Sequence, residues 1–154
     1  MSNRIILIDD DHDYLELLAG KLRDLGYLNL KLADNPLEAA ADFEKGDVFD
    51  LALIDMTMPE MDGMALLDHI KNTSPGTECI MVTAINEART AVECLRRGAY
   101  DYLVKPVAKD VLALTLPRAL ERKRLLDILD LEKRQAHAEL INPAPFAPII
   151  TQSP

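Results

Sequence analysis

The sequence lacks the features that would place it across a membrane or in an oxidising compartment. It has only two cysteines, Cys79 and Cys94, and their spacing fits neither a disulfide framework nor a metal-binding motif. No apolar run approaches the roughly 18–20 residues that a membrane-spanning helix needs, and the N-terminus has no cleavable signal pattern. We therefore expect a cytoplasmic protein that has no membrane partner and keeps its thiols reduced.

Positive charge is also scarce. Seventeen lysines and arginines face 26 aspartates and glutamates, which gives a formal net charge of −9. Binding to a nucleic acid backbone needs a basic face, so this composition argues against direct DNA or RNA binding. DNA would be contacted only through domains outside this sequence. The Gly-x-x-x-x-Gly-Lys loop is absent as well, which excludes ATP binding of that type.

Short apolar runs alternate along the chain with stretches that have helical periodicity. The runs predict five strands, at residues 4–8, 28–33, 51–55, 79–83 and 100–104. The stretches predict helices at residues 12–25, 35–46, 63–71 and 86–98 and from residue 109 onward, with Asn86 capping the fourth. Five βα units with short crossovers form a parallel sheet covered on both faces. We predict a flavodoxin-like (βα)5 three-layer sandwich with strand order 2-1-3-4-5 and a C-terminal helical extension.

The pattern changes after the fifth strand. We assign residues 1–120 to the compact domain and residues 121–141 to a linker helix that can form a coiled coil. Residues 142–154 form a proline-rich tail, which we interpret as the start of an absent downstream domain. Pro117 lies within helical sequence, so the fifth helix either kinks there or restarts with this proline in its first turn.

Polar residues follow four of the predicted strands. Asp9 and Asp10 end strand one, Asp55 ends strand three, Thr83 ends strand four and Lys105 ends strand five. Strands one and three are neighbours in the predicted order, so their carboxylates converge where open α/β sheets bind ligands. Two carboxylates about 4 Å apart repel by roughly 4 kcal/mol at an effective dielectric near 20. The cluster must therefore take up protons or bind a hard cation such as Mg²⁺, and the whole set is typical of phosphoryl transfer.

The same residues carry a family resemblance. The motifs are Asp9-Asp10, Asp55 with Met58-Pro59 and Asp62-Gly63, Thr83-Ala84, and Lys105-Pro106. Together they resemble the receiver domain of bacterial two-component response regulators, over about residues 3–120. Each motif is weak alone, but their combination at the ends of strands one, three, four and five is highly specific.

The resemblance implies a phosphorylation site. Asp55 would accept a phosphoryl group from a phosphohistidine on a sensor histidine kinase. Asp10, Asp55 and the backbone carbonyl of Thr57 would bind Mg²⁺, with Mn²⁺ as an alternative, and Asp9 would act through water. The domain would not be a conventional enzyme, although it would catalyse its own Mg²⁺-dependent phosphorylation and dephosphorylation.

The resemblance also implies a switch. Thr83 would bond to one phosphoryl oxygen and Lys105 would pair with another. Tyr102 would turn inward when the threonine moves, and the peptide bond between Lys105 and Pro106 would be cis. The face formed by helix four, strand five and helix five would change as a result.

The tail resembles the entry to the AAA+ ATPase domain of sigma-54-dependent, nitrogen-regulator-type activators. The match covers Phe146 to Pro154, with Thr151 where that family has glycine. The leading hypothesis is therefore the N-terminal part of a transcription activator, with a homodimer that depends on phosphorylation and forms through residues 118–140. One alternative is a stand-alone receiver that relays the phosphoryl group or docks on a target protein. Another is a structural module whose acidic crevice is inert and binds no Mg²⁺.

Overall fold

The computed structural model describes residues 3–141 and the side chains of residues 3–138. Its five strands are β1 (Ile5–Ile8), β2 (Leu30–Ala33), β3 (Leu51–Ile54), β4 (Glu78–Thr83) and β5 (Asp101–Val104). They form one parallel sheet in the order β2-β1-β3-β4-β5. The predicted flavodoxin-like topology is confirmed.

The helices cover both faces of the sheet. They are α1 (His12–Asp24), α2 (Pro36–Glu44), α3 (Gly63–Thr73), α4 (Ala88–Arg96) and α5 (Lys109–Ile141). Side chains alternate along the strands, so Ile5 and Leu7 pack into one core with α1 and the first part of α5. Ile6 and Ile8 pack into a second core with α2, α3 and Cys94 of α4. Because β1, β3 and β4 are buried on both faces, their sequences are almost continuously apolar.

Side-chain caps set the start of three helices. Asp11 accepts a hydrogen bond from the backbone N of Tyr14, Asn35 caps α2 in the same way, and Asp62 caps α3. The prediction that Asn86 caps α4 is wrong. This helix begins at Ala88 and its N-cap residue is Glu87, which makes no side-chain cap hydrogen bond. Asn86 lies one residue too early to reach the free backbone N–H groups.

Val92 and Leu95 form an apolar stripe on α4 that faces outward. Val92 and Leu95 are 54% and 46% exposed, and Cys94 is the buried residue of this helix. The Cys94 side chain has no exposed surface. Its Sγ lies 3.7 Å from the Sδ of Met56, in the core below α4. The stripe leaves an apolar surface beside β5.

Helix α5 runs without interruption from Lys109 to Ile141, so it continues through Pro117. Proline removes one backbone donor from the helix interior. Packing of Leu112, Leu116 and Ala119 into the core holds this part of the helix in place. The chain forms two compact units, one up to Lys123 and one from Arg124. In the second unit the described large apolar side chains are exposed, namely Leu125, Leu126, Ile128, Leu129 and Leu131.

A buried acid lies at the amino end of β4. Glu78 is only 1% exposed, and its Oε2 lies 3.1 Å from the Nε of Arg122 on α5. The guanidinium also lies 5.6 Å from the ring centre of Tyr100. Burial raises the pKa of Glu78, and the charge of Arg122 opposes that rise. Arg122 thus supplies the positive charge that compensates a carboxylate buried in the core.

Arg122→Ala should lower the free energy of unfolding by about 2 kcal/mol at pH 7. Breaking a fully buried pair costs about 3–5 kcal/mol, and the cost here is smaller because Arg122 is half exposed. The loss should shrink as the pH falls through the raised pKa of Glu78, since a protonated carboxyl needs no counterion. Urea unfolding at pH 7 and pH 4.5 measures both effects. Arg118→Ala is the control, because that arginine is exposed on the same helix. Equal stability of the two variants at pH 7 would contradict the role of the ion pair.

Candidate phosphoryl-acceptor site

The register of the sheet brings two aspartates together. Ile8 of β1 pairs with Ile54 of β3, and Asp9 and Asp55 follow them directly. The backbone N of Asp55 donates to the carbonyl of Ile8 at 2.9 Å, which extends the ladder by one residue. Asp9 and Asp55 are buried and Asp10 is exposed at the rim. One oxygen from each of these three carboxylates lies within 4.8 Å of the other two.

Lys105 reaches the same crevice from β5. Its backbone N donates to the carbonyl of Thr83 at 2.8 Å, which fixes its place beside the end of β4. Its Nζ lies 2.6 Å from Oδ2 of Asp9 and 3.6 Å from Oδ1 of Asp55. The predicted convergence of acids and lysine at the carboxyl edge is therefore present.

The crevice raises the pKa of Asp55 and of Lys105. Burial raises the pKa of Asp55 to about 6, and the neighbouring charge of Asp9 adds to this rise. The ammonium of Lys105 and the backbone N–H of Met56 oppose it. Burial also works to lower the pKa of Lys105, but the hydrogen bond to Asp9 and the charge of Asp55 outweigh it, so that pKa is raised. An acid with a raised pKa beside a second acid indicates a place that favours added positive charge.

The donor set fits a divalent cation. Three carboxylates and one ammonium carry two net negative charges when all are ionised. Carboxylate oxygens are the ligands that Mg²⁺ prefers, with water filling its remaining positions. Asp9, Asp10 and Asp55 are the residues that can hold such an ion. Thr57 is exposed in the loop after Asp55, and the role of its carbonyl as a ligand stays a prediction.

Thr83 and Tyr102 are connected through one loop residue. The buried hydroxyl oxygen of Thr83 accepts a hydrogen bond from the backbone N of Ile85 at 3.2 Å. The hydroxyl of Tyr102 donates to the carbonyl of Ile85 at 2.7 Å, and its ring packs on the core below α4. The two residues therefore share an anchor in the loop that leads to α4. The peptide bond between Lys105 and Pro106 is cis, as predicted.

The start of α3 packs tightly against the backbone of Asp55 and Met56. The backbone N of Gly63 at the start of α3 donates to the carbonyl of Met56 at 2.9 Å. A Cβ added at Gly63 would lie 2.2 Å from the carbonyl oxygen of Asp55. Between these contacts Glu60 adopts a left-handed backbone, with φ of 74°. The sequence identified Gly63 only as part of a motif, whereas the structure shows that α3 rests directly on the backbone of Asp55.

Tyr14 is a site residue that the sequence analysis did not identify. The Nζ of Lys105 lies 4.2 Å from the centre of its ring. Its sequence position could have indicated this role. Tyr14 follows the Asp11 cap by three residues, so it lies in the first turn of α1 at the edge of the crevice.

The raised pKa of Asp55 predicts a pH-dependent stability difference. An unfolded chain loses this proton near pH 4 and the folded chain near pH 6, so the group stabilises the fold at low pH, and that contribution is lost as the pH rises to about 6. In metal-free buffer, Asp55→Asn should therefore be about 2 kcal/mol more stable than the wild type at pH 7 and nearly equal to it at pH 4. Urea unfolding across this range measures the difference. A difference that does not change with pH would contradict the environment assigned to Asp55.

The fold and this acidic crevice define a doubly wound α/β domain with a ligand site at the carboxyl edge of its sheet. The model of the response regulator receiver domain matches residues 5–116. The chain belongs to the response regulator receiver family.

Related proteins agree with this assignment. The transcriptional regulatory protein ZraR of Klebsiella oxytoca is 39% identical over 141 residues, which cover 92% of this chain and 31% of that protein. The regulatory protein AtoC of Escherichia coli K12 is 35% identical over 99% of this chain and 32% of its own length. The chain thus spans about a third of the length of these curated relatives.

Solved structures match the fold. A CheY-like receiver domain protein from Methanospirillum hungatei JF-1 superposes with a TM-score of 0.74 at 31% identity, over 80% of this chain and 98% of that one. NtrX from Brucella abortus gives a TM-score of 0.76 at 36% identity, over 88% of this chain and 30% of its own. No helix in the described part of the chain combines the length and apolar character needed to cross a bilayer.

Proposed function

We propose that this receiver accepts a phosphoryl group on Asp55 from a phosphohistidine of a sensor histidine kinase. The observation that carries the proposal is the set of three aspartates within 4.8 Å of one another, with the Lys105 ammonium 3.6 Å from Asp55. A carboxylate oxygen of Asp55 attacks phosphorus, the P–N bond breaks, and the imidazole leaves and takes up a proton. The domain itself promotes both this transfer and the later hydrolysis.

Each neighbouring residue has a defined part in this transfer. We assign Asp10, Asp55 and the carbonyl of Thr57 to direct contact with Mg²⁺, and Asp9 to a contact through water; Mn²⁺ would fit the same oxygen ligands. When bound, this ion neutralises charge on the phosphoryl oxygens. Lys105 pairs with one of those oxygens, which stabilises the charge that develops during transfer.

The switch follows from the shared anchor at Ile85. We assign the Thr83 hydroxyl to donate to a phosphoryl oxygen, and turning toward that oxygen would weaken the hydrogen bond that it accepts from the backbone N of Ile85. That change loosens the loop to which the Tyr102 hydroxyl also bonds, while Pro106 keeps Lys105 in place. The surface of α4, β5 and the first part of α5 then changes, and its exposed large apolar residues include Val92, Leu95, Val104, Val111 and Leu114. Coupling of this kind is typically about 1–3 kcal/mol.

We further propose that the output is regulation of transcription in the cytoplasm. Relatives named as transcriptional regulatory proteins, about three times as long as this chain, support this proposal. In this view residues 1–120 are the receiver and residues 121–141 link it to a sigma-54-dependent activator module, which would supply any DNA contact. The tail at residues 142–154 lies outside the described residues.

Fluoroberyllate, an analogue of the phosphoryl group, tests the acceptor site. Amide NMR signals of Thr83, Tyr102 and Lys105 should shift in a saturable way when beryllium fluoride and Mg²⁺ are both present. Neither compound alone should reproduce the full change. Signals that do not move under any of these conditions would support an inert crevice instead.

The exposed apolar residues on the described part of the extension support a homodimer. Light scattering after gel filtration should show a shift from monomer toward dimer when fluoroberyllate and Mg²⁺ are added. Leu125→Lys combined with Leu129→Lys should block this shift and leave the fluoroberyllate response of the receiver intact. A strictly monomeric wild-type chain in both conditions would contradict the dimer, without affecting the acceptor assignment.

A further inference from the structure

The Lys105 ammonium has a partner that carries no net charge. Its Nζ lies 4.2 Å from the centre of the Tyr14 ring, 2.6 Å from Asp9 and 3.6 Å from Asp55. The face of an aromatic ring attracts a cation within about 6 Å of its centre. The ammonium is therefore held between two carboxylates and one aromatic face.

The position of Tyr14 is fixed on both sides. Its backbone N donates to Oδ1 of Asp11 at 3.1 Å, and the backbone N of Asp11 donates to Oδ1 of Asp9 at 2.9 Å. The Tyr14 ring is partly buried and packs on the core formed with α1 and α5. The two hydrogen bonds anchor the backbone of Tyr14 beside the acidic cluster, and packing against the core restricts its ring.

An aromatic partner suits a lysine that has to change partners. A lysine side chain has a flexible four-carbon stem, so its ammonium needs contacts to stay at one place. Asp9 provides one contact, but this carboxylate must also serve a bound cation. The ring of Tyr14 attracts the ammonium without competing for that cation, because it is not a ligand for a hard metal.

We propose that Tyr14 is a positioning residue for Lys105, which it holds within reach of the phosphoryl group through its ring face. This inference rests on the proposed function of Asp55. It assigns the effect to the ring and not to the hydroxyl. Two substitutions separate these contributions, because Tyr14→Phe keeps the ring and Tyr14→Leu keeps an apolar side chain without an aromatic face.

The kinetic test uses acetyl phosphate and saturating Mg²⁺, with intact-protein mass spectrometry as the readout. Tyr14→Phe should react within about twofold of the wild type, and Tyr14→Leu about 3- to 10-fold more slowly. In a Lys105→Ala background, Tyr14→Leu should cause no further loss, since the ring would act only through the lysine. A Tyr14→Leu protein that reacts at the wild-type rate would overturn the inference, as would an equal further loss in the Lys105→Ala background.

A second readout needs neither metal nor phosphate. A ring 4.2 Å from Nζ should shift the NMR signals of the Lys105 ε-methylene protons upfield in the metal-free protein. The shift should persist in Tyr14→Phe and disappear in Tyr14→Leu, while the remaining amide spectrum stays dispersed. Methylene signals at ordinary lysine positions in the wild type would overturn the contact itself. Wild-type protein that incorporates no phosphate would overturn the proposed function, and the positioning role with it, even where the upfield shift is present.

Discussion

Asp55→Asn is expected to reduce phosphate incorporation from acetyl phosphate below detection while the fold stays intact. Asparagine has nearly the shape of aspartate, but its amide lacks the anionic oxygen that attacks phosphorus. The remaining acids would not substitute, because Asp9 is paired with Lys105 at 2.6 Å and Asp10 lies at the exposed rim. Intact-protein mass spectrometry counts the phosphate groups directly, and circular dichroism checks the fold.

The chain offers a matched control for this experiment. Asp34 is an exposed acid that directly follows β2, so it also lies at the carboxyl edge of the sheet but outside the acidic cluster. Asp34→Asn should incorporate phosphate at the wild-type rate. Phosphate incorporation by Asp55→Asn at a similar rate would defeat the assignment of the acceptor.

Gly63→Ala is expected to lower the free energy of unfolding by about 3 kcal/mol, at the upper end of the usual cost of overpacking. The added Cβ would lie 2.2 Å from the carbonyl oxygen of Asp55 and 2.7 Å from the Cα of Met56. These are backbone atoms, which cannot rotate away as a flexible side chain can. The start of α3 must therefore move away from β3, and Asp55 is displaced with it.

A second glycine provides the control. Gly20 lies inside α1, and a Cβ added there meets no atom within 4 Å. Gly20→Ala should raise stability by about 0.5–1 kcal/mol, because alanine favours a helix over glycine. Urea unfolding of both variants measures the contrast. A Gly63→Ala protein as stable as Gly20→Ala would show that α3 does not rest on Asp55 as described.

The fold was predictable because its three central strands, β1, β3 and β4, are short and buried on both faces. The continuous apolar run at β3 predicted a buried strand. Asp55 directly follows that run, so the sequence also placed it at the carboxyl end of the strand. The flavodoxin-like strand order expected for five βα units then placed Asp9 beside Asp55. Most of the candidate site could be inferred in this way, because sheet order alone determines which strand ends are adjacent.

Contacts between distant segments were not predictable. Arg122 neutralises Glu78 across 44 residues of sequence, and no local pattern marks such a pair. Val92 and Leu95 have the spacing of one helix face whether that face is buried or exposed. The pattern therefore could not show that Val92 is exposed. Tyr14 was missed because its partner Lys105 is distant in the sequence, although the two side chains are in contact in the fold. A single aromatic residue in a helix is also more often explained by core packing.

The position of the phosphoryl group is the most direct test of the whole account. Borohydride reduces an acyl phosphate to an alcohol, so a phosphorylated aspartate becomes homoserine, which tandem mass spectrometry can locate in a peptide. After treatment with acetyl phosphate and Mg²⁺, we expect homoserine at position 55 alone, and none when Mg²⁺ is removed by a chelator. Homoserine at position 9 or 10, or none in the presence of Mg²⁺, would contradict the account.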